Sequence, residues 1–235
     1  MDSALCRGVR QHHRLALTSL ADTPVPLQLQ DLDVSLRMYL HGDEDRHVSA
    51  TLREQGVWEP FESQLMLRSI GPGDRVLDVG ANLGYFSLLA AARVGSAGQV
   101  YAFEPEPRNF HLLEQNVRLN DFEGSVSCCE AGLSDVAGRA QLYLSEDNLG
   151  DHQLQPDQGG RDALSVRLER GADWFAGREI RLDFVKIDVQ GAEHAAVLGL
   201  LPLLQASGPD LRLLLELTPL SLRSAGSCGA DLIKT

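Results

Sequence analysis

The sequence predicts an α/β domain built on a doubly wound, mostly parallel sheet with helices on both faces. Three observations carry this. Short apolar runs alternate with stretches of helical periodicity, the pattern of parallel strands joined by crossover helices. Two glycines, Gly80 and Gly84, stand between one such run (Val76, Leu77, Val79) and a helix-like stretch from Phe86 to Ala90. Four acids, Asp78, Glu104, Asp188 and Glu216, fall at the carboxyl ends of apolar runs, where open α/β sheets bind ligands.

The totals suit this class. A chain of 235 residues with 43% apolar content is long enough to bury a core. It reads as an N-terminal arm with an accessory strand and helix region over 1–55, followed by one ligand-binding domain over 56–235. A formal net charge of −12 argues against a broad phosphate-binding face, so a nucleic-acid partner is not expected. Cys6, Cys128, Cys129 and Cys228 form no CxxC pair and no zinc spacing with histidine, which reads as reduced thiols of a cytoplasmic protein without a bound metal. No apolar run is long enough for a signal peptide or a membrane helix, so no membrane partner is expected.

In chain order, Arg7, Arg10, His12, His13 and Arg14 make a basic cluster, and Pro24 and Pro26 interrupt any regular element after it. This is expected to be a poorly ordered arm or an irregular first helix, with His12 and His13 lacking a third metal ligand. Val34–Leu40 alternates as a strand. Ser63–Ile70 reads as a helix turning Leu65, Met66 and Ile70 inward. Trp58, Glu59 and Glu62 either line a ligand mouth or are core and surface respectively. Gly71–Asp74 turns the chain into the central strand.

Gly95–Gly98 reads as a loop, Val100–Pro105 as a second strand, and Arg108–Asn120 as a helix with Phe110, Leu112, Leu113 and Val117 apolar. Ser125–Glu130 is a third strand, in which Cys128 and Cys129 point to opposite faces. Ala131–Asp135 is expected to be a loop and Gly138–Leu144 an alternating strand. Asp147–Gln153 is a polar loop, 153–162 a mobile one, and Ser165–Leu168 a short strand. Leu182–Asp188 is a strand leading to a helix through Ala195–Leu200. Leu211–Leu217 reads as a strand buried on both faces.

The glycine turn selects among ligands. A dinucleotide fingerprint would read Gly-x-Gly-x-x-Gly, and a phosphate loop would end in Lys-Ser/Thr. Here the pattern is Asp78-x-Gly80-x-x-x-Gly84. A carboxylate at the strand mouth repels a pyrophosphate and welcomes a cationic amino-acid tail, which favours S-adenosylmethionine over NAD. Glu104 stands where such folds place the acid that accepts from two ribose hydroxyls.

The segments Val76–Phe86, Phe103–Asn120, Asp147–His152, Phe184–Glu193 and Leu213–Pro219 together resemble the FkbM family of S-adenosylmethionine-dependent methyltransferases, over about Gly56–Gly226. The resemblance implies a Rossmann-like class I methyltransferase fold and O-methylation of a hydroxyl on a small molecule or glycan. It implies that Asp78, Gly80, Asn82 and Gly84 hold the methionine part, Glu104 the ribose, and Leu133 and Ser134 the adenine. Ala81, Tyr85, Phe86 and Pro105 join the cofactor-binding set, with core packing favoured for Phe86 over contact with the sulfonium. Asp188 faces the reacting centre. A complete class I fold continues past its fifth strand with a helix and a β-hairpin. Only 16 residues follow Pro219, so the hairpin is expected to be missing or the chain shortened.

A hydroxyl acceptor benefits from a general base. The candidates are His152 and Asp151, then Asp188 and Glu193, with His194 read as structural. Three rivals remain: an NAD-dependent oxidoreductase, disfavoured by Asp78 and the missing third glycine; an amino-methylating nucleic-acid enzyme, disfavoured because Asp188-Val189-Gln190-Gly191 replaces its Asn/Asp-Pro-Pro-aromatic motif; and a non-catalytic binding module.

Overall fold

The computed structural model describes residues 23–29, 32, 34–154, 161–178 and 180–235. Cys6 and the basic cluster Arg7, Arg10, His12, His13 and Arg14 lie outside the described residues, as do residues 155–160 of the expected 153–162 loop.

The elements run β1 (Val25–Pro26), β2 (Arg37–Met38), α1 (Val48–Gln55), α2 (Pro60–Ser69), β3 (Arg75–Val79), α3 (Tyr85–Val94), β4 (Gln99–Phe103), α4 (Pro107–Leu119), β5 (Val126–Cys129), β6 (Gly132–Ser134), β7 (Gly138–Tyr143), β8 (Ala163–Arg170), α5 (Gly171–Trp174), β9 (Phe184–Ile187), α6 (Glu193–Ser207), β10 (Arg212–Leu215), α7 (Pro219–Ser224) and α8 (Gly229–Lys234). The central sheet has the order β10-β9-β3-β4-β5 and every pairing in it is parallel. β3 lies in the middle, with Asp78 in register with Ala102 on one side and Lys186 on the other. A three-stranded sheet, β6-β8-β7, packs beside it.

Side chains alternate across the sheet and feed two cores, as a period of two requires. Val76, Val100 and Phe184 face one layer, with Met66, Leu88 and Leu112; Leu77, Val79, Phe103 and Ile187 face the other, with Phe175, Ala196 and Leu200. The adjacent cysteines obey the same rule, Cys128 packing on the first cluster and Cys129 lying in the second. The described part of 1–55 packs into the first core through Met38, Leu40, Val48 and Leu52. Asn116 of α4 brackets Tyr39, its Oδ1 accepting the Tyr39 N–H at 2.7 Å and its Nδ2 donating to the Tyr39 carbonyl at 3.0 Å.

Four expectations change. The strand over Val34–Leu40 contracts to Arg37–Met38, because β1 pairs with only two residues of it. On α2, Leu65 points outward and Leu67 is buried in its place, because the inward stripe runs through Ser63, Met66 and Leu67 at helical spacing. Ala131–Asp135 is not a loop, because β6 forms within it and pairs in parallel with β8. Leu211–Leu217 is not buried on both faces: β10 is the edge of the sheet, and Leu213 and Leu217 are 41% and 39% exposed. Two short helices, α7 and α8, follow β10. Among the described residues no helix is long and apolar enough to cross a membrane.

Candidate active-site cleft

The exits of β3, β4 and β9 converge on one cleft. β3 leaves through Gly80, whose φ is +82° and where a Cβ would stand 1.9 Å from the Asp188 carbonyl oxygen. Glycine is therefore required for the ends of β3 and β9 to pass this closely. The N–H groups of Gly80 and Ala81 both donate to the Phe103 carbonyl at 3.0 Å, which ties the turn to the end of β4. Asn82 takes the left-handed conformation at φ 52°, which turns its N–H toward Glu104 Oε2 at 2.8 Å. Glu104 Oε1 accepts from the Glu106 N–H at 2.9 Å, and the Glu106 side chain in turn caps α4 by accepting from the Asn109 N–H at 2.7 Å. Burial pushes the Glu104 carboxyl up to about 8, against the pull of those two N–H groups.

The cleft is lined by Val79, Gly80, Asn82, Glu104, Pro105 and Asn109, then by Gly132, Leu133, Leu142 and Leu168 of the second sheet, by Leu149, Gly150, His152 and Leu154, and by Asp188, Val189, Gln190 and Ala192. The stretch carrying Leu149 is anchored at both flanks: Asn109 Nδ2 donates to the Leu149 carbonyl at 3.0 Å and the Arg46 N–H to the Asp147 carbonyl at 2.9 Å.

A charged cluster adjoins the Asp188 end. Lys186 is 5% exposed; its Nζ lies 3.1 Å from Asp188 Oδ2 and 4.6 Å above the Phe86 ring. Burial opposes its charge, and Asp188 and Asp78 outweigh burial, so its pKa rises. Gln190 Nε2 donates to Asp188 Oδ1 at 2.9 Å. Asp78 is fully buried, accepts the Ser87 hydroxyl on Oδ2 at 2.6 Å and leaves Oδ1 without a hydrogen bond. Its carboxyl is pushed up by burial, with Lys186 pulling the other way. Glu59, in a left-handed conformation before α2, is pushed up by burial and interacts with Lys186 and Asp188. Glu216 follows β10, and burial, then Asp188 and Glu59, push it up to about 7.

Of the residues singled out from sequence, the cleft brings together Gly80, Asn82, Glu104, Pro105, Leu133, His152 and Asp188. Others take supporting places. Asp78, in β3, and Ala81, within the turn, are buried outside the cleft lining, and Gly84 (φ 95°) lets α3 approach α4, since a Cβ there would stand 2.8 Å from Leu113 Cδ1. Tyr85 is buried with its hydroxyl 3.0 Å from Ser63 Oγ, and the cation on the Phe86 ring is Lys186. Ser134 is turned away, its Oγ donating to Asp135 Oδ1 at 3.1 Å. His194 joins Ser227 Oγ at 2.7 Å and Thr235 at 3.2 Å, a structural tie.

The base candidates separate on geometry. Asp151 is held by Arg161 at 3.0 Å and is outside the cleft wall. Glu193 is 1% exposed and accepts the N–H groups of Gly191 and Val189, which shapes the turn into α6. His152 accepts the Ser145 N–H on Nδ1 at 3.0 Å, so the neutral ring carries its proton on Nε2. Burial, with Arg108 next, pushes it down to about 4. It is thus a neutral donor at neutral pH. Asp188 is the candidate that both lines the cleft and accepts from two side-chain donors, Lys186 and Gln190.

Sequence reasoning missed Leu142, Leu149, Leu168, Asn109 and Gln190 as lining, and Glu216 as more than a strand-end acid. Leu149 carried a signal, one apolar residue inside a polar loop. Leu142 and Leu168 carried none, because cleft-facing and core-facing leucines read alike.

The methyltransferase FkbM domain model matches residues 78–221. The 31-O-demethyl-FK506 methyltransferase FkbM of Streptomyces tacrolimicus is 30% identical over 190 residues, 74% of this chain and 72% of that protein. Methyltransferase sdnD of Sordaria araneosa is 30% identical over 155 residues, 53% of this chain and 59% of that protein, so the match spans little more than half of that relative. Among solved structures, a Clostridium thermocellum protein described as a candidate rRNA-methylase superposes with a TM-score of 0.50 at 9% identity, over 74% of this chain and 77% of that one, a likeness of fold alone.

Proposed function

The chain belongs to the FkbM methyltransferase family, whose cofactor is S-adenosyl-L-methionine, and from that premise we propose that it is an O-methyltransferase acting on a hydroxyl of a small molecule or glycan. The observation that carries the reading is the pairing of Glu104 with the Gly80–Asn82 turn across one cleft that ends at Asp188. The residues fit the cofactor. Each Glu104 oxygen accepts one N–H and keeps a second lone pair for a ribose hydroxyl. Leu133, Leu142 and Leu168 give an apolar wall for a base, and Gly80 allows the backbone to approach closely. The surplus of carboxyl groups around Lys186 suits a cation.

When bound, the cofactor supplies an electrophilic methyl group on a sulfonium. The chain's own residues position: Glu104 and Asn82 orient, Leu149 and the leucine wall exclude water, and Asp188 with Glu216 beyond it takes up the hydroxyl proton. The cleft lining holds no lysine or arginine among the described residues, which supports a neutral hydroxyl acceptor over a phosphodiester.

Calorimetric titration with S-adenosylhomocysteine, with NAD as control, tests the cofactor site. Micromolar binding that is lost in Asp78→Ala and Glu104→Ala is the expected result, and no binding to the folded chain would refute it. Transfer of labelled methyl to a panel of sugars, polyols and macrolides, with bulk tRNA alongside, tests the acceptor class. Labelling of tRNA alone would overturn the small-molecule reading.

A further inference from the structure

We infer that His41 is a positioning residue for the cofactor cleft: it fixes the amide of Asn109, and Asn109 in turn holds the cleft wall at residues 149–152. The N-terminal region thereby sets cofactor affinity, although it contributes none of the described residues that line the cleft. This deepens the proposed function and rests on its assignment of the cleft to the cofactor.

The orientation of Asn109 follows from its partners. Its Nδ2 donates to the Leu149 carbonyl at 3.0 Å, and a carbonyl only accepts. The amide oxygen therefore faces the other way, toward His41 Nε2 at 2.7 Å. An amide oxygen also only accepts, so Nε2 carries a proton and His41 is the donor. His41 and Asn109 are 4% and 2% exposed, so water is not at hand to replace either bond. The Asn109 N–H donates to Glu106 Oε2 at 2.7 Å, and the Glu106 N–H to Glu104 Oε1 at 2.9 Å. The residue that His41 fixes is thus tied to the acid assigned to the ribose.

His41 is itself held by α1. Its N–H donates to Ser49 Oγ at 3.2 Å, and its carbonyl accepts from Arg53 Nη2 at 2.7 Å. Asp45 Oδ2 accepts the Ser49 N–H at 2.8 Å, which steadies the start of that helix. A second set of contacts joins the same two segments. The Arg46 N–H donates to the Asp147 carbonyl at 2.9 Å. A Cβ at Gly150 would stand 3.2 Å from Val48 Cγ2 and 3.1 Å from Asn82 Nδ2, so the wall is packed between α1 and the turn after β3. Within the wall, the Gly150 N–H donates to Asn148 Oδ1 at 3.1 Å and the Asp151 N–H to the Asn148 carbonyl at 2.9 Å. Hydrogen exchange reads the opening of such bonds.

Calorimetry with S-adenosylhomocysteine, and peptide-resolved hydrogen exchange of the ligand-free full chain, test the inference. His41→Phe keeps a ring and removes the donor. It is expected to weaken S-adenosylhomocysteine binding by roughly tenfold, the consequence of leaving a buried acceptor unsatisfied. Exchange of the amides in 148–153 should speed by about the same factor, with β3 and β4 within about twofold of wild type. His41→Gln, whose amide donates in place of Nε2, should return both readouts to within about threefold of wild type. Because His41 acts through Asn109, adding His41→Phe to Asn109→Ala should cost no further affinity. If His41→Phe does not fold, Asn109→Asp carries the exchange test with the same expected result, since it keeps an acceptor for His41 and loses the donor to Leu149. Affinity and exchange unmoved by the substitution, losses that add in the double variant, or exchange speeded across the central sheet as much as in 148–153 would each overturn the inference and leave the proposed function standing. Failure of the wild-type chain to bind S-adenosylhomocysteine would overturn the proposed function, and this inference with it.

Discussion

The backbone N–H of Asn82 donates to the carboxylate of Glu104 at 2.8 Å, so the turn after β3 is held in shape by the acid that ends β4. One residue both builds the cleft and presents lone pairs to it. Glu104→Gln should therefore affect ligand and fold together. An amide keeps one acceptor oxygen, so either the Asn82 or the Glu106 N–H faces an NH2 group. Affinity for S-adenosylhomocysteine is expected to fall by ~10–100-fold, the cost of leaving a buried N–H without its acceptor. Parallel calorimetry of the wild type and the variant checks this; an affinity within twofold of wild type would sink the assignment.

The same burial sets a pH dependence. The Glu104 carboxyl is raised to about 8, and Asp78, Glu106 and Glu193 are raised as well. A carboxyl whose folded pKa exceeds its unfolded value stabilises fully below the unfolded value, and that contribution is lost as pH rises through the folded one. The ligand-free chain should thus lose stability between about pH 4.5 and pH 8, and Glu104→Gln should flatten that fall. Thermal melts across this range measure it. A melting temperature that climbs steadily with pH in the wild type would contradict the burial of these groups in neutral form.

Most of the architecture was legible in the sequence, for a physical reason. Parallel strands covered on both faces read as apolar runs, and Val76–Val79 and Phe184–Ile187 are such strands. The turn after β3 was legible because backbone crowding at Gly80 admits no side chain. The failures share a cause: burial is a property of neighbours. The apolar run at Leu211–Leu217 looks like an inner strand, yet no strand pairs on its outer side among the described residues. Ser134 and Glu193 have the polarity of site residues, but Ser134 spends it on the Asp135 side chain and Glu193 on the turn into α6. Glu216 owes its raised pKa to burial first and then to Asp188 and Glu59, surroundings that no spacing in the sequence reveals.

Gly80 and Gly84 should separate under substitution. A Cβ at Gly80 meets backbone, 1.9 Å from the Asp188 carbonyl, whereas at Gly84 it meets the flexible end of Leu113 at 2.8 Å. Both positions also carry a positive φ, strained for alanine by about 1–3 kcal/mol. Gly84→Ala should lower stability by about 1–3 kcal/mol and leave S-adenosylhomocysteine affinity nearly intact. Gly80→Ala should lower stability further and abolish measurable binding, because β3 and β9 must part at the cleft floor. Denaturant titration alongside calorimetry resolves the two, and equal binding losses would show that Gly84 contacts the ligand after all.

His152 offers the sharpest separation between a proton acceptor and a proton donor. Its Nδ1 is occupied by the Ser145 N–H, and its pKa near 4 leaves it neutral throughout the working range. A base with this titration would impose an acid limb on the rate near pH 4 and be rate-limiting in its absence. A donor lining the cleft would instead contribute a neutral hydrogen bond, about 0.5–1.5 kcal/mol. His152→Gln, whose side-chain amide supplies both an acceptor and a donor, should keep the rate within roughly tenfold and leave the shape of the pH profile unchanged. His152→Ala should mainly raise KM, since the loop around Leu149 loses the anchor at Ser145. A loss in kcat of more than a thousandfold in both variants, with KM unmoved, would reinstate His152 as the base and displace Asp188 from that role.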